Sequence, residues 1–263
     1  MEPRRLDLLC RSDTPTIRTD PIYAMQVLDG VSWSIYPGDK IHLQGANGSG
    51  KTTILALLLG HHPRSYSMPA DNLKIFSQPR REIPTPYLKR WIGHTSPEIF
   101  AAFPRNMRLT AGEAIGSGYE GVFSRREFTP DQVKRIKSLL RPFEEQLGTP
   151  SRASGRQASH TRTDVDSIYN AEFSHFPASQ QAILLFLRSV VARPRLLVLD
   201  EFSQTIDEQA WEVCKTILEN EWKEMKSDGV DQAVVVVSHY ESEVPWQGGK
   251  VFRLKDGKVD CSE

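Results

Sequence analysis

Apolar and polar positions along this chain follow two periods. Residues 5–11 and 27–34 read as short strands joined by a Pro- and Thr-rich connection. After a turn at Tyr36-Pro37-Gly38-Asp39, residues 40–44 alternate as a strand should. An apolar helix is predicted over 51–59, with Gly60 at its C-terminal cap. From 105 to 147 the character is helical. Thr129-Pro130-Asp131 supplies a cap, a first-turn proline and a first-turn acid, and Val133, Ile136, Leu140 and Phe143 recur on one face. Residues 148–168 are rich in Ser, Arg, Thr and Gly without apolar period, and read as a mobile loop. A helix at 180–192 then leads to a strand at 195–200. A second helix, 208–226, carries Trp211, Cys214, Leu218, Trp222 and Met225 on one side. An all-apolar strand follows at 233–237, and Asp256-Gly257 marks a hairpin between 250–254 and 258–260. Strands alternating with helices predict an α/β fold with a mostly parallel sheet.

Composition narrows this picture. At 263 residues the chain can bury a substantial core, and it balances 33 basic against 33 acidic residues. A neutral chain has no global field to draw it to nucleic acid or anionic lipid, so neither is expected as a partner. Three widely spaced cysteines form no CxxC pair, which argues against disulfides or zinc and suits a reducing compartment. The longest apolar stretch, 182–192, is interrupted by Arg188 and too short to span a bilayer. A soluble, cytoplasmic protein is the expectation.

The chemistry begins at Gly45-Ala46-Asn47-Gly48-Ser49-Gly50-Lys51-Thr52-Thr53, which satisfies GxxxxGK[ST] between a predicted strand and a predicted helix. Glycines let successive backbone N–H groups turn toward phosphate, and the helix start adds partial positive charge. Lys51 would reach the β- and γ-phosphates of a nucleotide, and the Thr52 hydroxyl would ligate Mg²⁺. A plain glycine-rich turn would explain the glycines but not the lysine and threonine. Such a loop needs a second carboxylate on the Mg²⁺ side, at the end of an apolar strand. Asp200, closing Leu196-Leu197-Val198-Leu199, supplies it. Glu201 is placed to polarise an attacking water as a general base, although a surface acid is the plainer alternative. His239, after Val234-Val235-Val236-Val237-Ser238, is a second candidate for γ-phosphate contact.

The order of P-loop, helical insert, LLVLDE and VVVVSH resembles the ATP-binding domain of the ABC ATPases over nearly the whole chain. The resemblance implies a P-loop NTPase fold, with a RecA-like parallel core, an antiparallel β edge and a helical subdomain at about 98–190, in one domain spanning 1–263. It implies ATP and Mg²⁺, with Glu201 as catalytic base, His239 as the γ-phosphate switch and Asp207 at the end of the D-loop. The stretches RWIGHTSPEIFAAFPRN and SHYESEVP are similar to soluble ModF-like, molybdate-transport-type ATP-binding proteins and their fungal tandem-domain relatives.

Three positions depart from the family pattern. The LSGGQ signature falls on Phe176-Pro177-Ala178-Ser179-Gln180, where Pro177 has neither hydroxyl nor N–H. The Q-loop glutamine falls near Pro97 and Glu98, and for the adenine-stacking aromatic Tyr23 is the nearest candidate. The expected activity is hydrolysis of ATP to ADP and phosphate, slow for the chain alone, coupling dimer closure to a partner. That partner would be a second ABC domain, in a homodimer, heterodimer or tandem chain. The alternatives are an ABC transporter subunit with a separate membrane chain and a nucleotide-binding regulator with little hydrolysis.

Overall fold

The structure, a computed structural model, describes residues 6–9, 28–148 and 164–259. The chain divides into two compact units. The first comprises the described residues of Met1–Ile92, Arg195–Val198 and Met225–Glu263, and the second those of Gly93–Pro194 and Leu199–Glu224.

The first unit begins with β1 (Leu6–Leu9), β2 (Ser32–Ile35) and β3 (Lys40–Gly45), followed by α1 (Lys51–Leu59), β4 (Leu73–Ile75), β5 (Gln78–Pro79) and α2 (Thr85–Trp91). The chain crosses to the second unit within β6 (Ile92–Thr95) and returns at Arg195, just before β7 (Leu196–Asp200); it leaves again within β7 and comes back at Met225. The second unit holds α3 (Pro97–Ala101), α4 (Ala111–Gly116), α5 (Pro130–Leu140), α6 (Val165–Asn170), α7 (Ala178–Val190) and most of α8 (Glu208–Ser227). The first unit closes with β8 (Ala233–Val237), β9 (Lys250–Lys255) and β10 (Lys258–Val259).

Two sheets result, one ordered β2-β1-β4-β5 and one β10-β9-β3-β8-β7-β6. The first is antiparallel at each pairing. In the second, β3 runs parallel to both β8 and β9, with Leu43 opposite Val237 and Gly45 opposite Leu254, while β10 folds back antiparallel. Parallel strands are covered on both faces, so β8 reads as the unbroken run AVVVV, buried throughout. Ile41, Leu43, Ile54, Leu57, Leu58, Val235 and Val237 share the core of this unit.

In the second unit, α5 starts with a full capping box between Thr129 and Gln132, and Ile136, Leu140 and Phe143 are buried. The buried side of α8 includes Trp211, Cys214, Leu218 and Met225, and also an acid, Glu221. Glu221 receives both guanidinium Nη groups of Arg135 at 2.6 Å and Arg193 Nε at 3.0 Å. A buried carboxylate survives only with such partners. Cys214 is buried, which pushes its thiol well above the ordinary range. Cys10, Cys261 and Tyr23 lie outside the described residues.

Several boundaries differ from expectation. β2 starts only at Ser32, because Gly30 takes a left-handed turn at φ 64. The helical stretch predicted over 105–147 is broken at 122–128, which have no regular structure. Residues 149–163 of the expected loop lie outside the described residues. Its end is helical instead, since the Asp164 carboxylate accepts from Ser167 N at 2.8 Å and starts α6. The β4–β5 turn was not legible: Phe76 and Ser77 occupy positive φ (52 and 67), where hairpins usually place Asn-Gly.

Glu221→Ala strips the buried acid from Arg135 and Arg193 together, and a loss of about 3 kcal/mol is expected in urea unfolding of the full chain. A loss under about 1 kcal/mol would mark the cluster as an ordinary surface bridge.

Candidate functional site

The phosphate-binding candidate lies in the first unit, where β3 ends and α1 starts. A Cβ on Gly45 would lie 2.4 Å from Leu254 O and 2.5 Å from Ser49 Oγ, so only glycine lets the loop turn this closely past β9. Gly50, the residue before α1, holds φ 105, and Ile54 N closes the first helical turn on its carbonyl at 2.9 Å. The hairpin between β9 and β10 supports the loop from behind, since Gly257 N donates to Ser49 O at 3.1 Å. The sequence therefore specifies the loop twice, by its own glycines and by the distant Asp256-Gly257 turn.

Lys51 is buried at the helix start, and its ammonium donates to Gly45 O at 2.6 Å and Ala46 O at 3.1 Å. The cation is thus already turned over the cradle whose backbone it neutralises. The buried Ser49 hydroxyl has no hydrogen-bond partner among the described residues. An orphaned hydroxyl and an ammonium satisfied only by carbonyls both fit a phosphate-bearing ligand. Thr52 is exposed and Thr53 half-buried in the first turn of α1, which contains no acidic residue. Hydroxyl oxygens beside a first turn without acidic charge suit a phosphate group and the Mg²⁺ it carries.

His239 follows β8 in the same unit. Its ring is exposed, and its backbone N–H and that of Tyr240 both donate to the Glu243 carboxylate at 3.2 Å. Buried beside it is a residue that the sequence did not single out: His42 of β3, 2 % exposed, lies 2.8 Å from Ser238 Oγ. Its signal in the sequence was only an imidazole at a polar position of the alternating strand, between Lys40 and Gln44.

Asp200 and Glu201 belong to the second unit. Asp200 is half-buried at the end of β7. Glu201 holds φ 49 and ψ 26, a left-handed conformation that costs a non-glycine residue about 1–2 kcal/mol. The neighbouring Phe202 keeps it there. That ring is buried, stacks on Phe186 at 5.1 Å and meets Trp211 edge-on at 6.0 Å. Asp207 proves to cap α8, its carboxylate accepting from Ala210 N at 2.8 Å.

Two of the three departures from the family pattern, at Pro97 and at Pro177–Ala178, lie in this unit too. Pro97 and Ala178 line, with Thr95, Phe100, Phe202 and Asp200, one cavity of about 330 Å³. Pro97 stands in the first turn of α3, whose cap is Ser96 accepting from Ile99 N at 3.2 Å. Pro177, exposed, is the N-terminal cap residue of α7 with no side-chain cap bond. α7 accordingly starts two residues earlier than expected, because a proline without N–H is harmless where no helical donor is needed.

Comparison with known proteins agrees with this geometry. The chain is 30% identical over 240 residues to an ABC transporter ATP-binding protein of Schizosaccharomyces pombe, covering 90% of this chain and 43% of that protein. It is 27% identical over 220 residues to the ABC transporter ATP-binding protein ModF of Escherichia coli, covering 83% and 39%. The chain thus spans about two fifths of the length of these curated relatives. Among solved structures, a dimeric bacterial ABC transporter cassette matches with a TM-score of 0.66 at 19% identity, over 97% of this chain and 96% of that one. This likeness shows a shared fold, the α/β P-loop NTPase architecture with an antiparallel edge. With residues 28–204 matching the ABC transporter family, the chain belongs to that family, as an ABC-type ATP-binding domain.

Proposed function

We propose that this chain binds Mg·ATP at residues 45–53 and hydrolyses it to ADP and phosphate when a second ABC domain supplies the missing signature contacts. One observation carries the reading: a buried Lys51 ammonium and an orphaned Ser49 hydroxyl converge on a glycine cradle at a helix start. In this reading Lys51 and the loop amides hold the β- and γ-phosphates, while Thr52 and Asp200 are the protein's Mg²⁺ ligands. Mg²⁺, when bound, neutralises charge on the phosphate oxygens. Glu201 orients the attacking water and accepts its proton, which its strained left-handed backbone is consistent with. His239 contacts the γ-phosphate. Binding and positioning thus account for the rate, with little covalent work for the protein.

The partner follows from Pro177. In closed ABC dimers each nucleotide lies between one chain's P-loop and the other's signature. Pro177, exposed at the start of α7, offers that neighbour neither a hydroxyl nor an N–H. Losing one such donor costs about 100-fold in rate. A homodimer would lack the contact at both sites, whereas a partner domain with an intact signature would restore it at this chain's P-loop. That the curated relatives are more than twice as long as the matched stretch leaves room in them for a second domain. Among the described residues no helix is long and apolar enough to cross a membrane. We place the protein in the cytoplasm, where ATP and reduced thiols coexist.

Lys51→Ala is expected to abolish tight ATP binding in calorimetry; an unchanged affinity would remove the P-loop assignment. Two substitutions at Glu201 separate chemistry from strain. Glu201→Gln should retain binding and lose at least ~100-fold in turnover. Glu201→Gly should lose turnover equally, yet unfold at higher urea by roughly 0.5 to 1 kcal/mol, because glycine relieves the positive φ. A destabilised glycine variant would show that the left-handed turn carries no strain. Hydrolysis by the chain alone should be slow and rise when a domain with an intact LSGGQ is added. That rise should vanish with Glu201→Gln here and persist when the partner's own glutamate is changed. Brisk activity from the chain alone, second order in protein, would sink the asymmetric reading.

A further inference from the structure

His42 and Ser238 sit at the ends of a hydrogen-bond chain whose direction can be worked out atom by atom. Arg253 of β9 points Nε at Gln44 Oε1, 3.1 Å away. A guanidinium has no acceptor, so the Gln44 oxygen must face it and the Gln44 NH₂ must face the other way. That NH₂ lies 3.0 Å from His42 Nδ1. Nδ1 is therefore an acceptor, and the ring proton is on Nε2. Nε2 in turn lies 2.8 Å from Ser238 Oγ and 3.2 Å from Ser238 O, so it donates to Ser238. With its oxygen taken, the Ser238 hydroxyl sends its own proton to Tyr240 O at 3.1 Å. Every donor runs one way, from β9 through β3 to the segment after β8. Register explains the reach, because Gln44 and Arg253 are direct partners between β3 and β9, and His42 pairs with Val236 of β8.

Tyr240 O, where the chain ends, also accepts from Glu243 N at 3.2 Å, and the Glu243 carboxylate takes the N–H groups of His239 and Tyr240. The main chain of His239 is thus clamped from both sides, by Glu243 in front and by the His42–Ser238 link behind. Both link residues are 2 % exposed, so water cannot replace the bond.

We propose that His42 is a positioning residue that holds the segment of residues 238–243, and with it His239, in a single arrangement. This rests on the reading that His239 contacts the γ-phosphate. A second proton on His42 would enter at Nδ1, directly against the Gln44 NH₂, and cut the chain at its middle. The charged groups around the ring are Arg253 on β9 and Glu241 and Glu243 after β8. Burial, and secondarily Arg253, depress the imidazole below its ordinary value, while the Ser238 bond and the two acids oppose this. A depressed folded-state pKa means the Gln44–His42 bond is intact above the unfolded value of 6.5 and is lost as pH falls through the folded one, while the Nε2–H bond to Ser238 persists.

The test uses the full chain, with two readouts. The first is amide-exchange protection at 239–243, corrected for intrinsic rate, from pH 5 to 8. Wild type should keep its protection across this range, because Nε2–H donates to Ser238 in both protonation states. His42→Ala should lose protection on the order of 10-fold at every pH. Ser238→Ala, which leaves the imidazole in place, should behave the same and serves if His42→Ala does not fold. Unchanged protection in either variant overturns the positioning role. The second readout is the preference for ATP over ADP in calorimetry. His239→Ala should reduce it, His42→Ala should reduce it on the order of 10-fold, and the double variant should fall no further than His239→Ala. If His239→Ala leaves the preference intact, the γ-phosphate reading fails while protection still decides the role of His42. If His239→Ala lowers the preference and His42→Ala does not, the positioning role fails and the γ-phosphate reading stands.

Discussion

The central strand β3 is hydrogen-bonded on both edges to parallel neighbours, and nearly everything in the first unit follows from that. Its pairing with β8 and β9 brings Gly45, Val237 and Leu254 to one end of the sheet. The P-loop, the segment bearing His239 and the β9–β10 hairpin all leave from that end. Ligands in open parallel sheets bind outside the carboxyl ends of the strands for this reason. The same pairing explains the tight packing at Gly45, because a side chain there would strike the carbonyl of its β9 partner. A strand buried on both faces tolerates polar atoms only when they are satisfied, and His42 meets that demand through Gln44 and Ser238.

The second unit uses aromatic packing to hold what the backbone disfavours. Glu201 occupies a left-handed conformation that glycine or asparagine would adopt more readily, and Phe202 is anchored between Phe186 and Trp211. Burial of such a ring is worth about 2–3 kcal/mol, which exceeds the strain next to it. Glu221 follows similar logic with charge. Two arginines from different parts of the unit, Arg135 on α5 and Arg193 just after α7, converge on one acid of α8. Its removal would strand two cations, so the cluster acts more as a constraint on register than as a source of net stability.

Much of this was legible in the sequence. The P-loop and its flanks could be read because every position obeys local rules: strand period, glycine turn, helix, glycine cap. Thr129-Pro130-Asp131 and Asp256-Gly257 were legible for the same reason, since caps and turns are decided by neighbours. What could not be read depends on distant groups. Phe76 and Ser77 form a positive-φ turn without turn residues, and Phe76 gains instead from an edge-on contact with Trp91 at 5.5 Å. Glu221 interrupts an apolar face, and only the arginines, one of them 86 residues away, make sense of it. His42 looked like one more polar position of an alternating strand until Ser238, 196 residues on, supplied its partner.

Pro177 is sound for the fold and, on the proposed reading, costly for chemistry. At the cap of α7 its fixed φ of −56 suits the helix entry, and its missing N–H deprives no helical bond. Gln181 secures the turn instead, donating to Phe176 O at 2.7 Å, and Phe176 itself is buried. Stability therefore places no pressure on this residue to be serine. On the proposed reading, a hydroxyl there would serve only a nucleotide held by another domain, and its absence removes a donor from that neighbour. The cradle is built from Gly45, Ser49 and Lys51, all in the first unit, and Pro177 belongs to the second. Binding and the signature contact would then be lost separately, as an asymmetric pair of ABC domains requires.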